Sequence, residues 1–187
     1  MECQGASQVD EQERKVQERM ASVKQVIVVM SGKGGVGKTS VAVNLAYAWA
    51  AFGKRVGLLD TDIHGPNVAK MLGIENEVIQ QFGADMLPVT AGHGLKVVSL
   101  ALLGRGADTP FIWRGPMKAA VIRQFLGDVD WGILDYLVID SPPGTGDEPL
   151  SVCQLLPKIT KAVIVTTPQD VAVLDARKSV MFSRELN

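Results

Sequence analysis

The sequence is poor in cysteine, in aromatics and in net charge, and the first and last of these shortages each remove a class of protein. Only Cys3 and Cys153 occur in the 187 residues. Two distant cysteines make no disulfide framework, which fits a reducing cytoplasm. Lys plus Arg total 19 against 20 Asp plus Glu, a net charge of −1. A near-neutral chain has no electrostatic pull towards nucleic acid or an anionic membrane, so neither is expected as a partner. No apolar run approaches the roughly 18–20 residues that span a bilayer. The first residues are polar and acidic where a signal peptide is basic and then apolar. What is present is ordinary for a folded domain: 47% hydrophobic and 21% charged residues, enough to bury one core.

Residues 1–25 are almost entirely polar, with mixed charge over Asp10–Arg19. They offer no apolar stripe to bury, so a mobile or loosely docked extension is expected, with the domain proper over residues 26–187. Residues 26–30 (VIVVM) form a continuous β-branched run, the mark of a strand covered on both faces. A glycine-rich turn follows, then a helix over 39–52 that Gly53 ends. Strands are predicted over 56–59, 95–100, 136–139 and 162–165, and helices over 66–72, 116–126, 148–156 and 170–186. In the 116–126 helix, Ala119, Ala120, Ile122, Phe125 and Leu126 can face the core. Residues 74–95 show no clean period and read as loops with a small hairpin. Strands alternating with helices predict an α/β fold, a mostly parallel sheet with helices on both faces. Ligands of such sheets sit beyond the carboxyl ends of the strands, here Ser31-Gly32, Asp60, Asp140 and Thr166-Thr167.

The clearest chemistry is Gly32-Lys33-Gly34-Gly35-Val36-Gly37-Lys38-Thr39, which satisfies G-x-x-x-x-G-K-[ST] between a strand and a helix. Glycines let backbone N–H groups point inward at a phosphate, and the following helix aims its positive end at the same anion. Lys38 can reach the β- and γ-phosphates and the Thr39 hydroxyl can ligate Mg²⁺; the bland alternative is a glycine-rich turn that binds nothing. Asp140 ends a hydrophobic strand, the expected place for the carboxylate that holds Mg²⁺ beside such a loop, although an Asp there can also cap a turn. The loop Ser141-Pro142-Pro143-Gly144-Thr145-Gly146-Asp147-Glu148 follows it, shaped by two prolines and two glycines and placed to respond to hydrolysis. Asp60 and Asp62 stand two apart at another strand end. Asp62 is the candidate to orient or deprotonate the attacking water and Asp60 to support the Mg²⁺ shell, with helix capping as the competing role. Lys33 is an extra cation, either solvated or serving a nucleotide elsewhere.

GKGGVGKT resembles the deviant Walker A motif of the MinD/ParA/nitrogenase-iron-protein class of P-loop ATPases. DTDIHGPN, FIWRGPM and WGILDYLVIDSPPGTGDEPLS narrow the resemblance to the Mrp/ApbC family of ATP-binding iron–sulfur cluster carriers, over residues 25–186. The resemblance implies a P-loop NTPase fold and slow hydrolysis of ATP with Mg²⁺, coupled to loading or handing over a [4Fe-4S] cluster. It implies a homodimer sandwiching nucleotide, with Lys33 crossing to the partner's phosphates. It also implies that Asp62 is linked to the hydrolytic water, that Asp140 is the Walker B aspartate, and that apo iron–sulfur proteins are clients. The family places a CxxC pair and two more strands after the last helix seen here. This chain has no CxxC, so a C-terminally truncated domain is the expectation. His64 stands where the family commonly has Tyr.

Two readings compete with the carrier: a MinD/ParA-like positioning switch, and a non-catalytic nucleotide-binding remnant. The absence of an N-K-x-D guanine motif speaks against GTP. Cys153 lies among Val152, Leu155 and Leu156 and reads as a buried thiol. His93 reads as part of a surface turn. Trp113, Arg114 and Met117 are candidates for a partner surface, with burial in the core the alternative for Trp113.

Overall fold

The computed structural model describes residues 3–62, 65–103, 115–144 and 146–185. Ile63, His64, Trp113, Arg114 and Thr145 lie outside the described residues, as does the side chain of Met117. In chain order the elements are α1 (Cys3–Ala21), β1 (Val23–Met30), α2 (Lys38–Ala51), β2 (Val56–Asp60) and α3 (Val68–Met71). There follow β3 (Gln80–Phe82), β4 (Asp85–Leu87), β5 (Val89–Ala91), β6 (Leu95–Val98) and α4 (Gly115–Gly127). The last are β7 (Leu134–Asp140), α5 (Asp147–Gln154), β8 (Lys161–Ile164) and α6 (Asp170–Glu185).

Six strands form one sheet in the order β5-β6-β2-β7-β1-β8, and β3 pairs with β4 as a separate hairpin. All pairings in the large sheet are parallel except β5 with β6. The α/β expectation therefore holds. The absence of alternation in the strands has a simple cause. Val26, Val28 and Met30 of β1 and Leu137 and Ile139 of β7 pack with α1, α4 and α5, through Met20, Phe125, Leu126 and Val152. Their neighbours Val29 and Val138 face the other way, onto Ala42, Val43, Ala46 and Ala50 of α2. Both sheet faces are dry along residues 26–30 and 137–139, so these consecutive positions are all apolar.

Two expectations need correction. The N-terminal segment is neither loosely docked nor without an apolar stripe. Val16 and Met20, one helical turn apart, are buried at 4% and 1% exposure, and β1 begins at Val23. Arg19 bonds the Gly127 carbonyl at 3.3 Å and pairs with Asp85 and Asp130, and Gln12 donates to Asp128. A stripe only two residues wide is easily lost among polar neighbours, yet it suffices for a helix lying along one groove. Within 74–95 the hairpin is present, and β5 adds an antiparallel edge strand that short length had hidden. In the α4 helix, Ile122, Phe125 and Leu126 are buried as expected, whereas Ala120 is exposed.

Candidate functional site

Parallel register brings the candidate residues to one edge. Val29 of β1 stands opposite Asp140 of β7, and Asp60 of β2 stands opposite Asp140 on the other side. Hydrogen bonds carry the ladder past the strand ends: Ser141 N–H donates to the Val29 carbonyl and Thr61 N–H to the Asp140 carbonyl. The Gly144 N–H then bonds the Ser31 carbonyl at 2.8 Å, tying the proline-rich loop to the base of the glycine loop.

The glycine loop needs its glycines for two different reasons. Gly35 and Gly37 have φ of 76° and 90°, a region that a side chain strains, and Gly37 is the residue from which α2 starts. Gly32 is constrained by packing: a Cβ there would lie 2.4 Å from the Asp175 carbonyl carbon of α6. The backbone N–H groups at the start of α2 have no partners within the helix and make a ready anion seat.

Lys38 is buried at the floor of this loop. Its Nζ donates to Asp140 Oδ1 at 2.5 Å and approaches Thr39 Oγ1 at 3.4 Å. Asp140 Oδ2 is buried with no hydrogen-bond partner among the described residues. Burial pushes the Asp140 carboxyl above its ordinary value, and Lys38 and then Thr39 pull it back. Asp60 is 2% exposed. Its Oδ1 accepts from the Asp62 N–H at 3.0 Å and its Oδ2 from the Ser99 hydroxyl at 3.1 Å. Burial, and after it the neighbouring Asp140, push Asp60 up to about 7. Asp62 accepts from the Gly65 N–H at 3.3 Å.

The structure thus gathers Lys38, Thr39, Asp60, Asp62 and Asp140 at the carboxyl edge, with half-exposed Lys33 in the loop above. The fit to a divalent ion is good at Thr39 and Asp140, where a buried carboxylate oxygen lacks a partner. It is poorer at Asp60, whose two oxygens are already engaged. Two hydroxyls brace the site from behind: Thr61 donates to the Asp140 backbone carbonyl at 2.8 Å and Ser99 to the Asp60 carboxylate. Thr61 lies inside the motif DTDIHGPN, whereas Ser99, just past β6, carries no local signal. His93 sits in an exposed turn against the Tyr47 ring. Cys153 is 3% exposed and its thiol is pushed up to about 11 by burial. Among the described residues no group of three or more His, Cys, Asp or Glu is placed to hold a metal by itself, and no helix is long and apolar enough to cross a membrane.

Comparison with known proteins points the same way as this geometry. The chain is 52% identical over 177 residues to the iron–sulfur cluster carrier protein of Methanocaldococcus jannaschii, covering 95% of this chain and 61% of that protein. The carrier of Saccharolobus solfataricus is also 52% identical, with 96% and 61% covered. The chain therefore spans about three fifths of the length of these curated relatives. Among solved structures, the nucleotide-binding protein of Archaeoglobus fulgidus in complex with ADP superposes with a TM-score of 0.81 at 39% identity, covering 93% of this chain and 67% of that one. MinD of Aquifex aeolicus superposes less closely, with a TM-score of 0.59 at 25% identity, covering 87% and 64%. The ParA profile that describes the NUBPL iron-transfer P-loop NTPases matches residues 22–187, from the start of β1 through α6, and with glycine loop, Asp140 and sheet order all inside that span the chain belongs to this family.

Proposed function

We propose that this chain is the nucleotide-binding part of an iron–sulfur cluster carrier, which binds ATP with Mg²⁺ at loop 32–39 and hydrolyses it slowly. The observation that carries the reading is the meeting of Lys38, Thr39 and the partnerless Asp140 oxygen directly beneath a glycine loop opening onto a helix N-terminus. The loop's N–H groups and Lys38 hold the β- and γ-phosphates. Thr39 Oγ1 and Asp140 would hold Mg²⁺, which when bound would supply positive charge to the phosphate oxygens. Asp62 orients the attacking water, and Asp60, through the Asp62 N–H, fixes the loop that carries it. Lys33 reaches the nucleotide of a second copy, so turnover belongs to a homodimer. The cluster is cargo, passed to apo iron–sulfur proteins, and its thiolate ligands are not Cys153, which is single, buried and high in pKa. Relatives named as carriers at about half identity support this reading over a MinD-like switch.

The test is calorimetric titration with ADP and measurement of ATP turnover. Lys38→Ala abolishes nucleotide binding. Lys33→Ala keeps binding and loses turnover; turnover equal to the parent in Lys33→Ala refutes the sandwich dimer, and unchanged binding in Lys38→Ala refutes the nucleotide site.

A further inference from the structure

Lys38 touches the same two groups that would hold the divalent ion. Its Nζ is 2.5 Å from Asp140 Oδ1 and 3.4 Å from Thr39 Oγ1. The side chains of Lys38 and Asp140 are 7% and 0% exposed, so the pair is out of water and unscreened. The surroundings are acidic: Asp60 stands opposite Asp140 in the sheet, and Asp62 lies close enough to raise the pKa of both. An ionised carboxylate buried in such company needs a cation beside it. We propose that Lys38 is the resident cation of this site before nucleotide arrives: its ammonium holds the seat between Thr39 and Asp140 that the divalent ion takes, the two exclude each other, and an incoming phosphate chain exchanges them. The inference rests on the nucleotide reading above for the identity of the anion, but the exclusion itself does not.

The exchange follows from charge and reach. A divalent ion placed on the remaining Asp140 oxygen while Lys38 stays on the other would put two cations a few Å apart in a desolvated site, where like charges repel strongly. The lysine stem is flexible and its ammonium is a compact point charge, so it can swing to a phosphate in the adjacent loop without moving the backbone. The loop N–H groups draw the anion to the seat beside Lys38, so the ammonium has a second partner within reach. Anion entry then satisfies both needs together: it draws the ammonium away from Asp140 and leaves that carboxylate for the metal. Metal alone has no such means of displacing the lysine. Binding is therefore ordered, phosphate chain first or together with the ion, and the ion cannot occupy the site in advance.

Mn²⁺ binding followed by electron paramagnetic resonance, without nucleotide, tests the exclusion directly. Lys38→Met removes the ammonium while keeping the stem, and it is expected to bind Mn²⁺ at least about tenfold more tightly than the parent, the low end of what a like charge at this distance costs. Adding Asp140→Asn to that variant is expected to remove the gain. Equal Mn²⁺ affinity in the parent and Lys38→Met overturns the proposal. Should Lys38→Met fail to fold, the parent decides: Mn²⁺ alone is expected to show no saturable binding at concentrations where it saturates with ADP, and equal binding with and without ADP overturns the exchange. If ADP binds neither with nor without Mn²⁺, the nucleotide reading fails, while the gain in Lys38→Met still decides the cation seat.

Discussion

Gly32→Ala isolates a constraint that the glycine loop owes to packing and not to its ligand. A Cβ at residue 32 would lie 2.4 Å from the Asp175 carbonyl carbon and 2.5 Å from the Asp175 oxygen and Cβ. Ordinary contact begins at 3.4 Å, so α6 must retreat by about 1 Å or more against its own packing. The obstacle is helix backbone, so the helix moves as a body and cannot be relieved by a rotamer change. Ala172, Ala176 and Ser179, all buried on the inner face of α6, loosen with it. Overpacking of this kind costs about 1–3 kcal/mol, which for a domain of this size lowers Tm by roughly 2–12 °C. Gly34→Ala is the control: a Cβ there meets nothing within 4 Å, and its φ is not in the left-handed region. Urea unfolding of the nucleotide-free protein measures both. Asp175→Gly in the Gly32→Ala background is expected to rescue little, because the carbonyl carbon and oxygen remain. Equal midpoints for Gly32→Ala and Gly34→Ala would refute the reasoning.

Two further outcomes are expected. Met20→Ala removes a side chain that is 1% exposed and is expected to cost about 2–4 kcal/mol; a cost under 1 kcal/mol in the same unfolding assay, which is an about-tenfold smaller shift in the folding equilibrium than a core site gives, means that α1 does not dock as described. Asp60 is held up at about 7 against an ordinary 3.8, so the folded protein binds this proton more tightly than the unfolded chain does. Its contribution is present below about pH 4 and is lost as pH rises to about 7, so stability falls across that window. Asp60→Asn is expected to flatten that fall in metal-free urea titrations, and a pH profile identical to the parent's would contradict it.

The parts legible in the sequence were those written in local patterns. The glycine loop declares itself because phosphate binding needs glycines, a lysine and a hydroxyl at fixed spacing. The strands declare themselves because burial on both faces leaves an unbroken apolar run, as in β1 and β7. Gly53 ends α2 where expected, with φ of 76°. Short or narrow elements were not legible: β5 has three residues, and the docked stripe of α1 consists of Val16 and Met20.

The sequence by itself determined which residues are available at the carboxyl edge, since each of Gly32, Asp60 and Asp140 closes or follows its own apolar strand. Only the tertiary structure decided how they meet. Register between β2, β7 and β1 sets Asp60 beside Asp140 and Asp140 beneath the loop. The closed contact of Lys38 on Asp140, the Ser99 hydroxyl on Asp60 and the α6 backbone on Gly32 join residues 102, 39 and 143 positions apart. Contacts of that range leave no period or spacing in the chain. They arise from the order in which parallel strands stack, and that order is settled by burial of whole faces and by the crossover helices.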